Sequence, residues 1–198
     1  MSPADIDPES RCRVPLPRRE DLDAAGQKIF DYFTSGSEGV LRGLHGPAGL
    51  WLHDPKLAEV YVPFGTYLRF GAGLDEKIRE VSILAMAREC NNAFEWAAHE
   101  LEALHVGVPA AVIKSIKFRE PTASMEVPFG PVVQLIREAF TERAVSPVTY
   151  DAAVSLLGVP RLVDLVTLAG TYASTAALLT VFDMQLDEGE THLLPSLE

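Results

Sequence analysis

Glu95 and His99 stand four residues apart. On one helix that spacing puts two side chains on the same face about a turn apart, where they touch or converge on one bound molecule. Glu80 lies upstream in the run 78–87, which is apolar almost all round and interrupted chiefly by Arg79, Glu80 and Ser82. A carboxylate inside such a helix costs several kcal/mol unless it is paired or neutralised, so Glu80 is expected to have a partner or a raised pKa. A helical hairpin turning at Asn91 would bring all three together. Two acids and one imidazole in a dry pocket suffice for proton transfer near neutral pH, where histidine titrates and a buried glutamate can be tuned to follow.

Each of these residues also has a structural reading. Asn92 and Glu95 are spaced as the N-cap and N3 residues of a capping box. His99 borders the apolar stripe of Ala98 and Leu101, as a core-edge histidine does, and Glu80 is within reach of Arg79 or Arg88 as structural glue. Around the three, Trp51, His53, Tyr67, Phe70 and Tyr172 are candidate substrate-binding residues, although aromatics at helical spacing are more often core. A Tyr172 hydroxyl buried in a helix requires a hydrogen-bond partner. The five histidines include no HExxH, and the Glu95–His99 spacing is one residue longer than the Glu-x-x-His of di-iron bundles. Neither a metal nor a cofactor is therefore expected.

The elements that position these groups read as helices. Leu22, Ile29, Phe30 and Phe33 recur at helical spacing, with Gly36 and Gly39 marking the end of that element. A glycine-rich loop over 43–49 leads through Leu50, Trp51 and Leu52 to Pro55, which opens a helical run over 55–70. Asp75 is placed to cap the apolar helix that carries Glu80, and 90–92 breaks the chain before the helix of Glu95 and His99, which ends near Gly107. Further helices are predicted over 109–118, 131–143, 147–157 and 160–182, with turns at 121–128 and Gly158. No strand alternation appears, so the expected fold is all-α with about eight helices. Offset by 84 positions, Ile78, Glu80, Val81, Leu84 and Ala85 lie over Leu162, Asp164, Leu165, Leu168 and Ala169, a weak echo between two buried helices. Ala169, Gly170, Ala173, Ser174 and Ala177 form a small-residue face suited to close packing, in the core or between subunits.

At 198 residues the chain is long enough for one domain with a real core. Its organisation reads as a proline-rich arm over 1–20, punctuated by Pro3, Pro8, Pro15 and Pro17, a helical domain over 21–185, and a solvated acidic tail over 186–198. With 17 Lys plus Arg against 28 Asp plus Glu, the formal charge of −11 argues against nucleic acid as a partner. The stretch 165–182 is free of charge, but six hydroxyl-bearing side chains interrupt it and Asp164 and Asp183 close it, so no membrane span is expected. Two cysteines, Cys12 and Cys90, form no CxxC and no disulfide framework, and with no leader-like segment the expected compartment is the cytoplasm.

The stretch from Asp75 to Ala110, DEKIREVSILAMARECNNAFEWAAHELEALHVGVPA, resembles the core of the carboxymuconolactone decarboxylase and AhpD-like superfamily. In that pattern a Glu opens the buried helix and a His follows nineteen residues later, as Glu80 and His99 do here. The resemblance implies an AhpD-like helical fold around a helix hairpin and a homo-oligomer (dimer, trimer or hexamer). Its peroxidase branch places a CxxC pair where Asn92 and Glu95 stand, which leaves Cys90 two residues out of register and better read as a small buried apolar residue. Its decarboxylase branch carries a Glu four residues before the His, and Glu95 occupies that place. By that likeness, His99 with Glu95 moves a proton at carbon while Glu80 orients the imidazole. The implied activity is a cofactor-independent lyase acting on a small unsaturated or aromatic-derived carboxylic acid or lactone, by decarboxylation, isomerisation or elimination. A thiol peroxidase using Cys90 and a non-catalytic small-molecule binder on the same fold are the alternatives.

Overall fold

Side-chain caps start the helices where the sequence supplies them. In the computed structural model, which describes residues 5–35 and 43–196, Asp23 caps α1 (Ala24–Thr34) and Asp54 caps α3 (Pro55–Thr66). Asp75 caps α4 (Glu76–Glu89), Asn92 caps α5 (Ala93–His105) and Ser146 caps α8 (Pro147–Val181). In each case a side-chain oxygen accepts from a first-turn N–H that the helix itself leaves unpaired. With α2 (Pro47–Trp51), α6 (Ala110–Lys117) and α7 (Phe129–Ile136) these make an all-α fold of eight helices, without a strand among the described residues.

Helix α4 is the central rod. Every residue from Ile78 to Arg88 is buried, and α5, α6, α7 and α8 pack around it in the main core. The echo pairs are part of that contact: Ile78, Val81, Leu84 and Ala85 share one core with Leu162, Leu165, Leu168 and Ala169. A second apolar cluster joins α1, α2 and α3 through Phe33, Trp51, Leu52, Ala58 and Val62. The hairpin turns at Asn91, which takes the left-handed φ of 51° that a reversal between two helices requires.

Several expectations need correction. The glycine-rich loop over 43–49 contains α2, whose five residues are all buried; a Cβ at Gly49 would lie 2.3 Å from the Leu44 carbonyl oxygen, so only glycine fits that close approach. The helix over 55–70 is in fact α3 followed by a π-helical turn, Tyr67–Gly71, and α7 passes into another, Arg137–Glu142. Helix α8 is interrupted at Gly158, with φ 69° and ψ 161°, which keeps the two predicted helices distinct across a kink. By length and composition α8 is also the described helix apolar enough to cross a membrane, and its inner face lies in the protein core. Of the small-residue face only Ala169 is in that core; Gly170 and Ala173 are half-buried, and Ser174 and Ala177 are exposed.

The two ends are more engaged than their composition suggests. Cys12 of the arm is buried against Leu50 and Leu179, and the Arg13 N–H donates to the Phe182 carbonyl at 2.9 Å. The tail, expected to be solvated, docks on its own chain. His192 Nδ1 lies 3.1 Å from Glu100 Oε2, Arg88 Nη1 donates to the Pro195 carbonyl at 2.7 Å, and Leu194 packs on the main core. Pro3, Gly36 and Gly39 lie outside the described residues.

Candidate active site

The α4–α5 hairpin sets the imidazole between two acids. His99 Nδ1 donates to Glu80 Oε2 at 2.7 Å, while His99 Nε2 faces Glu95 Oε2 at 3.6 Å. The other Glu80 oxygen accepts from Arg79 Nε at 2.9 Å, and Arg79 Nη1 is anchored on the Arg69 carbonyl at 3.0 Å. Because an ionised carboxylate is acceptor-only, Glu80 fixes the proton of His99 on Nδ1 and turns Nε2 outward, the orienting role an acid plays behind a catalytic imidazole. Glu95 is aimed by its helix start: Asn92 Oδ1 accepts the Glu95 N–H at 2.9 Å, and Asn92 Nδ2 donates to the Ala176 carbonyl of α8 at 3.2 Å. The cap is thus present, while the Asn92 N–H is taken by the Ala87 carbonyl, so the Glu95 carboxyl is not spent on closing a capping box. The capping reading of Asn92 is therefore compatible with a Glu95 carboxyl that faces the imidazole.

Their environments separate the two acids. Burial alone would raise the Glu80 carboxyl, but the charge of His99, its hydrogen bond and Arg79 outweigh it and hold the group at about 2. Glu95 goes the other way. Burial dominates, only partly offset by His99 and Arg69, and pushes its carboxyl above the ordinary range. The two acids therefore differ in proton affinity, Glu80 held toward the anion and Glu95 shifted toward the protonated form.

All of this opens on a cavity of about 360 Å³ bounded by α2, α3, α5, α8 and the tail. His99 and Glu95 form one wall, and Tyr172 meets the imidazole edge-on at a ring separation of 5.0 Å. Nothing among the described residues hydrogen-bonds the Tyr172 hydroxyl, so the partner it requires has to come from the cavity. Burial also raises the Tyr172 pKa, so it stays a neutral donor. Trp51 packs on Tyr61 at 4.8 Å to make an aromatic wall, and Phe70 stands at the rim, more than half exposed.

Two expected substrate contacts are displaced. His53 is exposed in the turn before α3, with Nε2 3.1 Å from the Pro15 carbonyl, and does not line this cavity. Tyr67 is 52% exposed and off the cavity-lining face, which Arg69 shares with Val62 and Gly65, seven and four residues before it. Cys90 is exposed at the end of α4 rather than buried. Partial burial of its sulfur, with the charges of Glu89 and Glu95, pushes the thiol pKa up, against what a reactive thiolate needs. No group of three or more His, Cys, Asp or Glu among the described residues is arranged to hold a metal ion.

Sequence reasoning missed Arg69, and with it His45, Asp187 and Glu190 at the mouth. The signal for Arg69 is the one that singles out Glu80: a charge within an apolar run, here Leu68-Arg69-Phe70. The tail residues carry no such mark. No family model matches the chain, and no curated protein or solved structure is significantly similar to it.

Proposed function

We propose that this chain is a cofactor-independent acid–base enzyme of the carboxymuconolactone decarboxylase type, moving a proton at a carbon of a small unsaturated or aromatic-derived carboxylic acid or lactone. The observation that carries the reading is the Glu80–His99–Glu95 arrangement: one imidazole, 1% exposed, held by a carboxylate on Nδ1 and facing a second, buried carboxyl across Nε2, at the wall of a cavity.

In the decarboxylation, the bond between the departing carboxylate and its carbon breaks and CO₂ leaves. The electron pair passes into the conjugated carbonyl as an enolate, and protonated His99 delivers the Nε2 proton to carbon. Glu80 balances the imidazolium before transfer, and the neutral Glu95 carboxyl donates a hydrogen bond to the enolate oxygen, where negative charge develops. Solvent then reprotonates the imidazole. Isomerisation uses the same groups with neutral His99 first removing a proton. Such an enzyme needs no membrane and no nucleic acid, and suits the cytoplasm and a homo-oligomeric state.

His99→Ala and Glu80→Gln should each lower turnover of an unsaturated carboxylic acid, followed by substrate loss and CO₂ release, by ~10²–10⁴ with the helical circular-dichroism signal retained. Full activity in both variants would remove the proposal.

A further inference from the structure

Four arginines among the described residues are buried, and three of them donate guanidinium hydrogen bonds to the protein, although Arg88 Nε and Arg137 Nε and Nη2 are left without one. Arg79 holds Glu80, Arg137 donates to the Glu120 carbonyl at 2.7 Å and faces Glu89, and Arg88 donates to the carbonyls of Lys117 and Pro195 and to Asn91. Arg69 is the exception. It is 8% exposed, lines the cavity, and its guanidinium makes neither an ion pair nor a side-chain hydrogen bond among the described residues. Its Nε is sealed from solvent without a partner. The backbone of Arg69 is pinned by Arg79, and one face of the guanidinium lies on the Phe70 ring, Cζ 4.7 Å from the centroid, so the group is held in place with its hydrogen-bonding edge open. With its Nε shut off from solvent and no ion pair among the described residues, the guanidinium presents its remaining planar fork to the cavity, a shape that matches a carboxylate.

We propose that Arg69 is the anion-binding residue of this pocket and that its ligand is a small monocarboxylate with an apolar, planar body directed toward His99 Nε2. The assignment rests on the reading of the pocket as a proton-transfer site and names the substrate class for it. The body is apolar because Trp51, Tyr61, Phe94 and Leu168 line the same cavity. The carboxylate is single because Arg69 is the one arginine or lysine among the described lining residues, and a second anionic group would lie against Asp187 and Glu190. Those two acids are already engaged. Asp187 faces His45 and Arg11, and Glu190 accepts the His192 N–H, so neither neutralises Arg69. Arg69, Glu95 and Tyr172 all line this one cavity.

Calorimetric titration with benzoate, benzamide and terephthalate tests this on the full chain at low ionic strength. Benzoate should bind the unaltered protein ~10–100-fold more tightly than benzamide, the difference expected of a charge-assisted pair, and more tightly than terephthalate. Arg69→Gln should remove the preference for benzoate over benzamide, and Arg69→Lys should restore part of it. Equal binding of benzoate and benzamide to the unaltered protein, a comparison that requires no variant to fold, would overturn the assignment. So would an undiminished preference in Arg69→Gln, and terephthalate binding as tightly as benzoate would overturn the single-carboxylate clause. His99→Ala separates the two readings: it should abolish turnover while keeping the preference for benzoate over benzamide that Arg69 supplies. A protein that discriminates benzoate through Arg69 yet turns over no unsaturated acid would sink the enzymatic reading and leave the anion site standing.

Discussion

Glu80 and Glu95 act on the same imidazole from opposite sides, and their surroundings drive their proton affinities apart. That divergence separates the acid that orients from the acid that donates. It also has a measurable consequence for stability. The folded Glu80 carboxyl, at about 2, ionises more readily than its ordinary value of 4.5. Its stabilising contribution is therefore complete above about 4.5 and is lost as the pH falls through about 2. Glu95 has the opposite sign: raised when folded, its contribution is complete below 4.5 and is lost as the pH rises through the elevated folded value. Urea unfolding followed between about pH 3 and pH 9 should show both limbs. Glu95→Gln should flatten the alkaline limb, and Glu80→Gln should remove the part of the acid limb that Glu80 supplies, at the expense of an unpaired Arg79. At this scale Glu80, Glu95 and His99 were legible from sequence because a charge in an apolar run and a four-residue spacing are local signals. The same logic applied to Leu68-Arg69-Phe70 would have found Arg69.

Helices α4 and α5 and their caps were readable because Asp75 and Asn92 act within one turn of themselves. The π-helical turn at Tyr67–Gly71 was not, since an ordinary helical continuation fits those residues equally well until packing selects between them. Helix α8 offers a clean test of what composition conceals. Ala169 has no exposed surface and sits in the main core, whereas a Cβ added at Gly170 would meet nothing within 4 Å. Ala169→Leu should destabilise by about 1–3 kcal/mol through overpacking, while Gly170→Ala should stabilise by about 0.4–1 kcal/mol by restricting the unfolded chain. Denaturant midpoints moving in the same direction for both would show that the helix is rotated relative to this description. A stripe of small residues in the sequence is therefore two environments in the fold, one in the core and one facing outward.

For the molecule as a whole, the tail closes the site. Leu186, Asp187 and Glu190 form part of the cavity wall, held by the contacts of His192 with Glu100 and of Arg88 with Pro195. Deleting 186–198 should raise the benzoate Kd by roughly 3–10-fold, the loss of about 1 kcal/mol of apolar and ordering contributions, while the helical signal persists. An unchanged Kd would show that the wall contributes no binding. Sequence by itself determined the all-helical class, the caps, and the buried α4–α5 hairpin that carries Glu80, Glu95 and His99, because periodicity and short spacings are properties of adjacent turns. Only the tertiary structure decided which imidazole nitrogen faces which acid, that His53 and Tyr67 turn away, that Arg69 has no ion pair among the described residues, and that the tail returns to the pocket. Those outcomes depend on contacts between residues distant along the chain, 19 positions for Glu80 and His99 and 92 for Glu100 and His192, and no local pattern encodes where such partners meet.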